Sequence, residues 1–255
     1  MNGGEFIGWE KGYGVNVTDP NKGTVEGSGA LEGIYVDFTQ VPMKPEDKKG
    51  LQSLFDLGYE KITMDFIGKG SWDTKAGIID MTQYKLDIKD MGAFDMTATL
   101  SGYTPELARE ISKISNQSNF ETDPQKKQAL NLQLFAKLAA LSFNKLQFKI
   151  KDDSLLNRVV DLQSKKLNQE PEQITGIVGP MASVVLAPYN VPQFAASLGQ
   201  ALTTFMQGNK SITVLANPEI PIAMTEAIAL SSGMQAGNIQ PADLIERLNV
   251  TVTAE

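Results

Sequence analysis

The chain contains neither cysteine nor histidine. Without thiols it forms no disulfide, so cysteine usage assigns no redox compartment; such chains are common in the bacterial envelope, where stray thiols are oxidised. The lack of histidine excludes Ser-His-Asp and Cys-His nucleophile systems, His-ligated zinc sites and the commonest general base. Positive charge is also short. Lys and Arg number 23 against 30 Asp and Glu, giving a net charge of −7 and a pI near 4.8. That balance disfavours phosphate backbones and anionic lipid, and no nucleic-acid partner is expected. No cofactor or metal is implied. The start, MNGGEFIGWEKGYG, shows no basic region followed by an apolar run, so no leader peptide is expected in the chain as given.

Long uninterrupted apolar runs are missing too. The nearest approach is QITGIVGPMASVVLAPYNVPQFAASLGQALTTFMQGN, residues 173–209, which carries no charge at all. A membrane-spanning helix needs about 20 mainly apolar residues. Here Gly176, Gly179, Pro180, Pro188, Asn190 and Pro192 interrupt every such window, so no transmembrane segment is expected. Pro180 and Pro188 should each break a helix or start one. The reading is two helices, about 171–186 and 192–207. In the second, Phe194, Leu198, Ala201, Leu202 and Phe205 form an apolar stripe, with Gln193, Ser197, Gln200, Thr204 and Gln207 opposite. Two outcomes stay open for this hairpin: a solid cover on a sheet, or the wall of an apolar cavity. For the second, the candidate ligand-binding residues are Val184, Leu186, Phe194, Leu198, Leu202 and Phe205.

What the sequence does have is alternation. Ile62, Met64 and Phe66 alternate with Thr63, Asp65 and Ile67; Tyr84, Leu86 and Ile88 with Lys85, Asp87 and Lys89; Phe94, Met96, Ala98 and Leu100 with Asp95, Thr97, Thr99 and Ser101. Period two with a polar outer face marks a sheet buried on one side. Short connectors at 73–77 and 90–92 make residues 61–102 a three-stranded meander. The glycine-rich GTVEGSGALEGIYVDFTQVP before it adds one or two strands, which Pro42 and Pro45 stop.

Helix signals follow. Thr104-Pro105-Glu106 and Asp123-Pro124 are start signals. SFNKLQFKIKDD returns to strand, and Ser154 should cap the next helix. Further strands are expected at 211–216 and in the closing NVTVTA, with helices from Pro221 and Pro241. The fold class is therefore α+β: a curved, mainly antiparallel sheet with helices packed on one face. We expect a single domain over 1–255, β-rich to about 103 and helix-rich from 104.

Motifs for chemistry are weak. Asp65, Asp87 and Asp95 are candidates for a carboxylate-dependent hydrolase if pairing clusters them, but alternation places them on the solvated face. Asp19 to Glu26 lacks the spacing of a calcium loop, and the glycines of GTVEGSGALEG fit no nucleotide motif. Ser142-Phe143-Asn144-Lys145 has the Ser-x-x-Lys spacing, which needs a helical turn to bring the two side chains together. Phe-Ile-Gly recurs in FIGWEKGYGV and FIGKGSWDTKAG.

The phrases LGYEKITMDFIGKGSWDTKAGIIDMTQYKLDIKDMGAFDMTATLSG, KLQFKIKDDSLLNRVV, ITVLANPEIPIAMTEAI and LNVTVTAE resemble uncharacterised envelope proteins of Gram-negative bacteria. That resemblance implies a periplasmic location and carries no activity or site residue. Residues and resemblance together lead to the expectation of a non-catalytic envelope protein that binds an apolar or amphipathic, lipid-like ligand or a partner protein of the envelope. The alternatives are a structural or interaction module with a solid core, and the carboxylate hydrolase.

Overall fold

The structure, a computed structural model, describes residues 7–17, 23–41 and 45–255. Its centre is one antiparallel sheet. Strands β1 (Ile7–Val17), β2 (Thr24–Asp37), β3 (Lys61–Asp73), β4 (Ile78–Ile88), β5 (Gly92–Ser101), β6 (Ser142–Asp152), β7 (Ser211–Ala216) and β9 (Val250–Ala254) lie side by side in that order, and the short β8 (Ile222–Ala223) pairs with the start of β6. The expected meander of 61–102 is present as β3–β5. Two elements had no sequence signal: β1, and helix α1 (Pro45–Asp56). Pro45 opens that helix instead of merely ending the strand, because proline lacks only an N–H that the first helical position never uses.

Register explains the two faces. Phe66 lies opposite Leu86, Leu86 opposite Phe94, Phe94 opposite Ile150 and Ile150 opposite Ile212, so one apolar face crosses the sheet without interruption. Charged and hydroxyl side chains take the other face. Register shifts leave extra residues in β2 (between 31 and 34), in β4 (around Thr82, against both β3 and β5) and in β6 (Asn144), and these act as bulges. Bulges bend strands and increase local twist, which curves the sheet.

Helices α2 (Pro105–Phe120) and α3 (Pro124–Leu138) pair with each other. Thr104 accepts from the Leu107 N–H at 3.2 Å, and Asp123 accepts from Gln125 and Lys126, as their start signals predict. For α4 (Leu155–Leu167) the capping differs from expectation. Ser154 donates to the Asp90 carbonyl at 2.5 Å, while the buried Asp152 accepts from Leu156 N–H at 2.9 Å and from Asn209 N–H at 3.0 Å. One carboxylate thus ties β6, α4 and the turn before β7 together. The charge-free stretch forms α5 (Pro171–Leu186) and α6 (Pro192–Phe205), joined by a 3-10 turn at Ala187–Tyr189. Pro180 does not break α5. It lies with Gly176 on the exposed side, so the Gly176 carbonyl that loses its helical partner is left to solvent. The small side of the hairpin allows a close crossing: a Cβ on Gly199 would sit 2.9 Å from the Gly179 carbonyl oxygen.

The C-terminal third departs from expectation once. No helix starts at Pro221; Ile222 and Ala223 form β8, and α7 runs Met224–Gln235, followed by α8 (Pro241–Leu248) as expected. Ile222, fully buried, is held as a strand by pairing with Phe143. Among the described residues no helix is long and apolar enough to cross a membrane.

Candidate functional site

Among the described residues, helix α6 covers one end of the apolar face. On β7 and β9, Ile212, Val252 and Ala254 pack against Phe194, Leu198, Ala201, Leu202 and Phe205 of α6. Further along the face, Leu31, Tyr84, Phe94, Ile150 and Val214 remain 37–47% exposed. These side chains leave part of the apolar face open to water.

One part of it is an open trough of about 620 Å³ over β2, β3 and β4, within the range of small-molecule sites. The floor is made by missing side chains. Gly27 faces Gly70 and Gly29 faces Gly68 across β2 and β3, all on the apolar face. Among the described residues a Cβ on Gly27 would meet nothing within 4 Å, whereas one on Gly70 would sit 2.9 Å from the Asp80 carbonyl oxygen. So Gly27 leaves open space, and Gly70 is required by the bulge beside it.

Aromatic walls close both ends. At one, Leu31 stands with Phe66 and Tyr84, whose rings meet edge to face at 6.1 Å. At the other, Trp72 donates from Nε1 to the Tyr103 carbonyl at 2.7 Å, and the two rings cross at 5.3 Å. Tyr103 is itself fixed by its N–H bond to the Gly77 carbonyl at 2.9 Å, from the β3–β4 turn. Ile79 and Met81 complete the lining. The hydroxyls of Tyr84 and Tyr103 have no hydrogen-bond partner among the described residues, leaving each free for a polar group.

The residues proposed from sequence lie elsewhere. Phe194, Leu198, Leu202 and Phe205 are packed on the sheet beneath α6, and Phe194 also lines a second cavity beside β9. Val184 is 74% exposed on α5 and Leu186 half-buried at its end, so neither faces the trough. Sequence reading passed over the trough residues. The available signal was a pair of Gly-x-Gly phrases, Gly27/Gly29 and Gly68/Gly70, each in a strand; only the register shows that they coincide.

The acids of the hydrolase hypothesis occupy the polar face. Asp65 stands opposite Asp87, but Asp65 accepts from the Gly33 N–H at 2.6 Å and Asp87 pairs with Lys85 at 2.6 Å. Asp95 is flanked by Lys85 and Lys149, and its Oδ1 is buried without a partner. None of the three lines the trough. Ser142 begins β6, so Ser142 and Lys145 fall on a strand and their helical spacing is accidental. The calcium-loop reading falls partly on 18–22, outside the described residues. No group of three Asp or Glu among the described residues is placed to hold a metal ion.

Comparison with curated proteins and with solved structures found no match. A family model described as "Uncharacterized protein" matches residues 85–255, from the middle of β4 to the end of β9. The chain belongs to that family of uncharacterized bacterial proteins.

Proposed function

We propose that the protein is a non-catalytic binder of an apolar or amphipathic small molecule, held in the trough on the glycine floor of β2 and β3. The paired glycines carry this reading. Each glycine in a strand interior weakens the sheet by about 0.5–1 kcal/mol relative to alanine. Gly70 has a structural reason, while Gly27 faces open space, so what its missing side chain provides is room. Phe66, Tyr84 and Trp72 offer flat apolar contact on either side of that room. An acyl chain or thin ring system lies across the bare backbone, and the Tyr84 hydroxyl at one end or the Tyr103 hydroxyl at the other takes its polar group. An envelope location accords with the absence of cysteine; fractionation of cells expressing the native gene tests it directly.

The experiment is titration with a dansyl-labelled fatty acid, followed by displacement with unlabelled palmitate, alongside mass spectrometry of organic extracts of the purified protein. Saturable, displaceable uptake that Gly27→Val weakens is the expected result. A protein that takes up no probe and releases no lipid ends the proposal.

A further inference from the structure

Among the described residues strand β9 is a free edge of the sheet, beside β7, and hydrogen-bond phase fixes which of its groups point away from β7. Ser211 and Glu255 exchange both backbone bonds, at 2.8 and 3.0 Å. Two residues on, Thr253 and Thr251 pair in the same way with Thr213 and Leu215. Val250, Val252 and Ala254 therefore direct their N–H and C=O groups away from β7, toward the open edge.

A groove runs along that edge. Two cavities of about 760 and 320 Å³ share Ser197, Val252 and Thr253, and so are continuous. The α6 wall is the uncharged row Gln193, Ser197, Gln200 and Thr204, one face of the helix; α8 adds Ile245 and Glu246. Glu246 is the one charged residue of this lining, and its carboxylate has no partner among the described residues.

Exposed edges are commonly protected by lysine, proline or a bulge. The opposite edge, β1, has a register shift between Trp9 and Gly12. β9 has an unbroken register and contains neither lysine nor proline.

We infer that β9 accepts an extended peptide segment of another protein as an added strand, uncharged along the α6 row and basic beside Glu246. Main-chain bonds to Val250, Val252 and Ala254 supply affinity, and the side chains of α6 and α8 supply selection. A second copy of this chain fits less well. Joining two β9 edges would bring two α6 helices into the space that the groove leaves for one strand. The site is separate from the trough and stands without it.

The probe is a fluorescein-labelled peptide of alternating threonine and valine flanked by lysines, followed by fluorescence anisotropy and by amide hydrogen exchange. The wild type should bind it and slow exchange at Val250, Val252 and Ala254. Ser197→Arg, which fills the groove from an exposed helix position, and Ala254→Pro, which removes one outward N–H but no bond to β7, should each weaken binding at least tenfold. Gly27→Val should leave it unchanged, which keeps this result distinct from the trough. Absence of binding by wild type, or binding indifferent to both groove variants, overturns the inference. So does a dimer in light scattering that Ser197→Arg abolishes, because the edge would then belong to a second copy.

Discussion

Replacing Gly27 with valine adds a β-branched side chain to the floor of the trough, in a strand interior, where its Cβ meets no atom of the described residues within 4 Å. The backbone there is ordinary extended strand, so no strain opposes the change. Removing the glycine penalty and gaining β-propensity should stabilise the fold by about 1 kcal/mol. For a chain of this size that raises Tm by about 3 °C. Binding moves the opposite way. A valine side chain takes the room of about three ligand methylenes, worth about 2.4 kcal/mol at ~0.8 kcal/mol each. The fatty-acid Kd should then weaken about 50-fold. Circular-dichroism melting and the dansyl titration measure the two effects on one sample. A lowered Tm refutes the claim that the space is empty. An unchanged Kd refutes the claim that the ligand occupies it.

Gly70→Ala should behave differently: its Cβ would press on the Asp80 carbonyl at 2.9 Å, costing about 1–3 kcal/mol in chemical denaturation. Asp152→Ala removes the acceptor shared by Leu156 and Asn209, leaving two N–H donors unsatisfied. A loss of about 2–4 kcal/mol is expected, with faster exchange at both amides. The Glu255 carboxyl is held below its ordinary value of 4.5, first by its hydrogen bond from Lys149 and then by that lysine's charge. A depressed acid stabilises the fold above its ordinary value, and that contribution is lost as pH falls through the lowered one. An NMR titration should show Glu255 titrating below 4.5 in the wild type and at a higher pH in Lys149→Met than in the wild type.

Legibility in the sequence followed chemical contrast. β3, β4 and β5 could be read because Lys and Asp alternate with aromatic and aliphatic residues, and the sheet sorts those to opposite faces. α5 and α6 could be read from their prolines, within a few residues of the observed ends. β1, IGWEKGYGVNV, carries glycines at positions where alternation would otherwise be visible. The expected curved antiparallel sheet is present, with α6 packed on its apolar face. The candidate site was harder. Attention went to 173–209 because missing charge is conspicuous along a chain. The trough is a coincidence between glycines some forty residues apart, Gly27 with Gly70 and Gly29 with Gly68. No single window contains that coincidence; strand register creates it. The capping of α4 was misassigned for a related reason: Ser154 is nearest in sequence, but Asp152 is the residue buried where the N–H groups converge.

From β1 through β7 the order of strands in space is their order along the chain. Among the described residues each strand of that stretch is laid down beside the one before it, through a turn or through helices, much as in stacked repeats where a unit touches its neighbours. A sheet built this way has no fixed width. Removing the β1–β2 pair, or inserting a further pair in the β3–β4 turn, changes how far the apolar face extends without rerouting any other strand. The span of that face is set by the number of strands.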